Sequence, residues 1–246
     1  MKKEHEPISS KALTQALSHI HSLMLAEEQV FDDLGKLKEF LRDLKVTVDS
    51  VEEHEIIDSL RQELRNLKTL VYKDELTGAL NRRGIYEEFE AFFHEALASQ
   101  DRKDLRKGVV INDFSIIFFD LDNFKKINDT HGHAEGDEVL KHLAKVLRSH
   151  VRDIDAVGRL GGEEFVIGLL GASEEEACAK AESIRKVIED EIRAGGETVT
   201  ASVGVSSMKK SKAQNLHELV DTADKAMYEA KSNRGKNNVV CYSELV

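Results

Sequence analysis

Residues 156–170 read Ala-Val-Gly-Arg-Leu, then Gly-Gly-Glu-Glu, then Phe-Val-Ile-Gly-Leu-Leu. Two apolar, β-branched runs separated by paired glycines predict a hairpin, because glycine accepts the positive φ that a tight turn demands. Directly after Gly161 and Gly162 stand Glu163 and Glu164. Adjacent carboxylates at a hairpin tip repel one another, and no fold needs them there. They make sense if a cation sits at the tip; the plainer alternative is a solvated turn with two surface glutamates.

A second acidic pair strengthens the first reading. Phe114-Ser-Ile-Ile-Phe-Phe is a short aromatic and β-branched run, which predicts a buried strand, and it ends on Asp120 and Asp122. Between this strand and the hairpin lies a polar stretch, Asn123 to Gly136, with Gly132 and Gly136 as breakers, and then a helix from Glu138 to about His150. Beyond the hairpin, Ser173 with Glu176 forms a capping box for a helix to about Arg193. Residues 197–207 alternate as one strand, residues 216–231 predict a helix, and residues 238–242 a last strand. Upstream, Asn81 is an N-cap for a helix from Arg82 to about Ala98. A strand–helix–hairpin–helix–strand order is the ferredoxin-like arrangement, an α+β fold with a mainly antiparallel sheet and helices on one face. There the first strand lies beside the hairpin, which brings Asp120 to Glu163.

Residues 1–73 predict a separate helical region, a coiled coil or helical hairpin, and residues 74–246 the α+β domain. Leu13, Leu17, Ile20 and Met24, then Leu34, Leu37, Leu41 and Leu44, then Ile57, Leu60, Leu64, Leu67 and Val71 recur at spacings of three and four. That is a seam for self-association, the alternative being an amphipathic hairpin that packs on its own domain. Lys45 to Glu52 is the expected break between two helical segments; His19, His21 and His54 could bind a metal or report pH, but scattered surface histidines are the commoner case.

Composition narrows the partners. The formal net charge of −11 over 246 residues argues against a broad nucleic-acid or anionic-membrane surface, though a few lysines and divalent metals can neutralise a nucleotide locally. No apolar run approaches the roughly 20 residues of a membrane span, and the N-terminus lacks a signal-peptide core. Cys178 and Cys241 suggest neither a disulfide framework nor a zinc site, so a reducing cytoplasm fits.

Carboxylates converging on one sheet edge with oxygen ligands alone select Mg²⁺ or Mn²⁺, normally shared with substrate phosphates. Two such metals stabilise both the attacking and the leaving oxygen of a displacement at phosphorus. Lys125 could neutralise transition-state charge. Asn128 and Asp137 suit a base edge, since a carboxylate that accepts from guanine N1 and N2 distinguishes it from adenine. Lys231, Arg234 and Lys236 could bind terminal phosphates.

The chain resembles the GGDEF family of diguanylate cyclases from about Asp74 to Val240. The resemblance rests on Asp74-Glu-Leu-Thr-Gly-Ala-Leu-Asn-Arg-Arg83, Phe119-Asp-Leu-Asp-Asn-Phe-Lys-Lys-Ile-Asn-Asp129, Gly132-His-Ala-Glu-Gly-Asp137 and Gly161-Gly-Glu-Glu-Phe165. It implies a palm-type cyclase domain that condenses two GTP to cyclic di-GMP with release of two pyrophosphates, as a homodimer through the N-terminal helices. By motif position it implies metal binding by Asp120, the Leu121 carbonyl and Glu163, with Glu164 assisting. It implies Glu163 as proton acceptor, Lys125 as transition-state stabiliser, and Phe124, Asn128, His133, Asp137 and Lys231 as substrate contacts. Asp137 is the acid that favours a GTP-only product. Arg152-Asp-Ile-Asp155 matches the family's inhibitory product site. Ser183 replaces a product-binding arginine there, and the segment from Lys231 to Asn237 is one residue longer than usual. A receptor that binds GTP or cyclic di-GMP and acts through its helices is the alternative, against which the intact Gly-Gly-Glu-Glu tip argues. A polymerase-like palm on nucleic acid fits the acidic charge badly.

Overall fold

The computed structural model describes residues 71–100, 111 and 113–246. The helical seam and homodimer interface expected over residues 1–73 lie outside the described residues, apart from Val71 to Lys73. In chain order the elements are α1 (Arg82–Gln100), β1 (Phe114–Leu121), α2 (Phe124–His131) and α3 (His133–Ser149). There follow β2 (Ala156–Gly161), β3 (Glu164–Leu170), α4 (Glu174–Glu191), β4 (Arg193–Ala194) and β5 (Glu197–Thr198). The chain closes with β6 (Ala201–Ser207), α5 (Met208–Ser211), α6 (Leu216–Ser232), β7 (Val239–Cys241) and a short 3₁₀ turn (Tyr242–Glu244).

Five strands form one sheet in the order β2-β3-β1-β6-β7, antiparallel except for β6 with β7. The expected α+β palm, with its hairpin beside the first strand, is the observed one. Helices cover both faces, however, not one. Ile117, Phe119 and Leu121 of β1 join a core with α3 and α4, whereas Phe114, Ile116 and Phe118 join a core with α1 and α6. That period-2 split explains why β1 reads as a continuous apolar run: both of its faces are buried. The free edge of β2 is covered by the chain entering the domain, where Leu80 bonds to Val157 and Arg159.

Several local expectations change. The stretch Asn123 to Gly136 is largely helical: α2 ends at Gly132 (φ 85), and α3 begins at His133, with Gly136 buried inside it. A Cβ on Gly136 would overlap Asn128 Oδ1 and crowd the Phe124 ring. Gly136 is therefore a packing glycine rather than a breaker. The single strand expected over residues 197–207 is divided. Glu197–Thr198 pairs with Arg193–Ala194 in a separate two-stranded sheet, and only Ala201–Ser207 joins the main sheet. Cys178 on α4 and Cys241 on β7 are joined as a disulfide, contrary to the reading of the sequence. The parallel pairing of β7 on β6 carries Cys241 to α4 across a separation of 63 residues, which no spacing rule reveals.

Candidate active site

Strand register builds the acidic edge. Asp120, at the end of β1, lies directly opposite Glu164, the first residue of β3. Glu163 precedes it in the turn, where Gly162 takes φ 51. Asp120 shares parity with Phe114, Ile116 and Phe118, so it points to the face covered by α6. There the Lys231 Nζ, in the last turn of α6, meets Asp120 Oδ1 at 2.6 Å. Burial pushes the Asp120 carboxyl up; Lys231 opposes this, and Glu163 and Asp122 add to it. Glu164 is also raised, by burial first and then by Asp120, Asp224 and Glu163, with Arg82 opposing. Crowded, mutually repelling carboxylates of this kind are eased by a bound cation.

Among the described residues no three acidic, histidine or cysteine side chains converge as a ready-made metal cage. The donors present, Asp120, Glu163, Glu164 and the Leu121 carbonyl, nonetheless fit Mg²⁺. That ion binds through one or two carboxylates and leaves the rest of its shell to substrate phosphates.

Asp122 is a different case. Buried at the end of β1, it accepts from Thr200 Oγ1 (2.8 Å), Ser202 Oγ (2.7 Å) and the Asn237 N–H (3.0 Å). Both of its oxygens are occupied by the fold itself.

Phe124, Lys125, Asn128, His133 and Asp137 lie along α2 and α3, and the other expected residues lie elsewhere. Lys125 is exposed in the first turn of α2. Asn128 lies against Gly136, one residue before the half-buried Asp137, and its buried Oδ1 has no hydrogen-bond partner among the described residues. An orphaned buried acceptor costs about 1–3 kcal/mol unless a donor arrives. His133 is exposed at the start of α3, whereas Phe124 is buried in the core behind Asn128. Arg234 is committed to Glu244 at 2.6 Å, and Lys236 Nζ reaches Asn123 Oδ1 at 2.7 Å. Arg152 and Asp155 form a tight exposed turn, closed by the Arg152 N–H on Asp155 Oδ2 (3.0 Å). It borders an open cleft of about 430 Å³ shared with Lys73, Glu88 and Arg148. Ser183 is exposed on α4.

Sequence reasoning missed what holds the hairpin tip. Arg159 donates Nε and Nη2 to the Gly162 carbonyl (3.0 and 2.8 Å) and Nη1 to both oxygens of Asp74 (3.1 and 3.2 Å). The guanidinium is planar and forked, so it fixes the turn against the entering chain. Burial works against the Asp74 charge, but the Thr77 hydrogen bonds and Arg159 outweigh it and hold its pKa below the usual value. A depressed carboxylate contributes stability above its unfolded pKa, and this is lost as pH falls through the folded one. Asp74→Asn is therefore expected to lower the Tm at pH 7 by about 2–4 °C, a loss of roughly 1 kcal/mol. The gap should close as pH falls below about 4 in thermal melts; a gap independent of pH would remove the ion pair from the account.

A model of the family described as diguanylate cyclase, GGDEF domain, matches residues 71–238. Diguanylate cyclase A of Treponema denticola is 46% identical over 128 residues, covering 51% of this chain and 34% of that protein. Diguanylate cyclase DgcM of Escherichia coli is 36% identical over 187 residues, covering 76% and 42%. The chain thus spans between a third and a half of the length of these curated relatives. Among solved structures, the active GGEEF domain of a diguanylate cyclase from Vibrio cholerae matches with a TM-score of 0.58 at 35% identity, covering 66% of this chain and 96% of that one. The coiled coil and GGDEF domain of DgcB from Caulobacter crescentus matches with a TM-score of 0.66 at 23% identity, covering 77% and 95%, a likeness of fold. With a palm sheet, a Gly-Gly-Glu-Glu tip opposite Asp120, and a family match over residues 71–238, the chain belongs to the GGDEF family of diguanylate cyclase domains.

Proposed function

We propose that this protein is a diguanylate cyclase that condenses two GTP into cyclic di-GMP and releases two pyrophosphates. The observation that carries the reading is the register pairing of Asp120 with Glu164, with Glu163 in the adjoining turn. Relatives named diguanylate cyclase support it. Asp120, the Leu121 carbonyl and Glu163, assisted by Glu164, would hold Mg²⁺ or Mn²⁺. When bound, the metal supplies positive charge to the α-phosphate and acidifies the attacking 3′-hydroxyl. Glu163 accepts the 3′-hydroxyl proton as the new O–P bond forms and pyrophosphate departs. Lys125 and Lys231 offset phosphate charge from the protein side. Asn128 and Asp137 read the guanine edge, with His133 at its margin and Phe124 packed in the core behind Asn128; the Asn128 Oδ1, without a partner among the described residues, suits an N–H donor from the base.

One domain carries one GTP, so two copies must meet for each 3′-hydroxyl to reach the other α-phosphate. The periodic leucines of residues 1–73 would hold them together at high effective concentration. Arg152 and Asp155 would bind product and inhibit.

Incubation of the purified chain with GTP and Mg²⁺, followed by mass spectrometry, is expected to yield cyclic di-GMP. Tight GTP or cyclic di-GMP binding with no product would favour the receptor alternative. Arg152→Ala is expected to raise the product concentration needed for half-inhibition by about tenfold or more, as expected for loss of a charge-assisted anchor. Unchanged inhibition would move the product site elsewhere.

A further inference from the structure

Arg185 lies buried on α4, and its guanidinium does more than its own helix requires. Nε and Nη2 donate to the two oxygens of Glu182 (2.9 and 2.9 Å), and Nη1 donates to Glu189 Oε2 (2.8 Å). These i,i+3 and i,i+4 pairs already satisfy the charge. Nη1 also donates to Asn237 Oδ1 (2.7 Å), 52 residues away in the loop between α6 and β7. Asn237 Nδ2 in turn donates to Glu189 Oε1 (2.9 Å). Arg185, Glu189 and Asn237 therefore close a ring in which each is bonded to the other two.

The loop so gripped follows an unfavourable course. Gly235, Lys236 and Asn237 are consecutive left-handed residues, with φ 84, 68 and 46. Each non-glycine residue there costs about 1–2 kcal/mol, so the course persists because contacts over-determine it. From this course the loop makes two contacts with the turn after β1. The Asn237 N–H binds Asp122 Oδ2, and Lys236 Nζ binds Asn123 Oδ1, on a residue that is itself left-handed at φ 57. That turn carries Asp120 and the Leu121 carbonyl on one side and Lys125 on the other.

We propose that Arg185 is a positioning residue: by gripping Asn237 it fixes the turn between β1 and α2, and with it the metal-facing end of β1 and the placement of Lys125. The kinetic part of this proposal rests on the cyclase reading; the positioning part does not.

The test uses the full chain with Asn237→Gly, Arg185→Lys and the double variant. Glycine keeps the left-handed backbone and removes only the side-chain bridge. Lysine keeps a charge for Glu182 and Glu189 but lacks the fork that reaches Asn237 as well. Amide hydrogen exchange, read without nucleotide, is expected to quicken about tenfold in peptides covering residues 121–124 and 234–238 in each single variant. In turnover of GTP, kcat is expected to fall about ten- to a hundredfold with a smaller change in KM. The double variant should be no worse than either single one, because both cut the same link. Unchanged exchange at residues 121–124 in Asn237→Gly, or additive losses of kcat, would overturn the proposal. A wild-type chain that makes no cyclic di-GMP would instead defeat the functional reading, and the exchange measurement would then decide the role of Arg185 alone.

Discussion

Glu163→Gln is expected to lower cyclic di-GMP formation by about a thousandfold or more, because an amide neither binds Mg²⁺ well nor accepts the 3′-hydroxyl proton. The fold should not notice. Glu163 lies in the hairpin turn, partly exposed, and the strands on either side pair through backbone bonds that the change leaves intact. Thermal melts in the absence of metal should match the parent within about 1 °C, while product assays in Mg²⁺ and GTP fall to background. A variant with normal turnover would take Glu163 out of the chemistry and leave Glu164 as the acid to test.

Asp122→Ala is expected to do the reverse. In sequence Asp122 looks like the twin of Asp120, two residues further along the same acidic strand end. In the structure it is buried, with the Thr200 and Ser202 hydroxyls and the Asn237 N–H all donating to it. Alanine would strand three donors at once. Leaving buried donors unsatisfied costs about 1–3 kcal/mol apiece at most, and the set should cost roughly 3 kcal/mol after partial relaxation. That corresponds to a fall in Tm of about 6–12 °C for a domain of this size. Differential scanning calorimetry with and without Mg²⁺ separates the roles. Equal losses in both conditions fit a structural acid, whereas a parent-like melt without metal would make Asp122 a ligand after all.

What the sequence disclosed and what it hid divide along a physical line. The hairpin, β1, the Ser173 capping box and α6 carry their signals within a few residues: paired glycines, a run buried on both faces, a reciprocal cap, an apolar stripe. Their boundaries were legible to within a few positions. The helix α2 was not, because Phe-Lys-Lys-Ile-Asn-Asp-Thr-His offers little apolar surface and is followed closely by Gly132, which ends it, and Gly136, which only imitates a breaker. Which face each helix covers was equally hidden, since a strand buried on both sides gives no alternation from which to choose. The division between Asp120 and Asp122 is the sharpest case. Both are aspartates at a strand end, and only the arrival of Thr200, Ser202 and Asn237 from distant parts of the chain tells them apart. The Arg159–Asp74 link, the Cys178–Cys241 pair and the Arg185–Asn237 grip are long-range in the same sense.

Those distances along the chain also govern when the site can come into being. Lys231 and Asp120 are 111 residues apart, and Asn237 and Asp122 are 115 apart. The strand that carries Asp120 is completed on one side by β3 and on the other only by β6. Contacts of such high order close late, after the loop-closure entropy of the intervening chain has been overcome. During synthesis, the acidic tip and β1 emerge long before the lysine that meets Asp120 and the loop that grips the turn. A half-made chain therefore holds the acids without the frame that aligns them, and the aligned acidic edge is complete only once Lys231 and Asn237 have joined it.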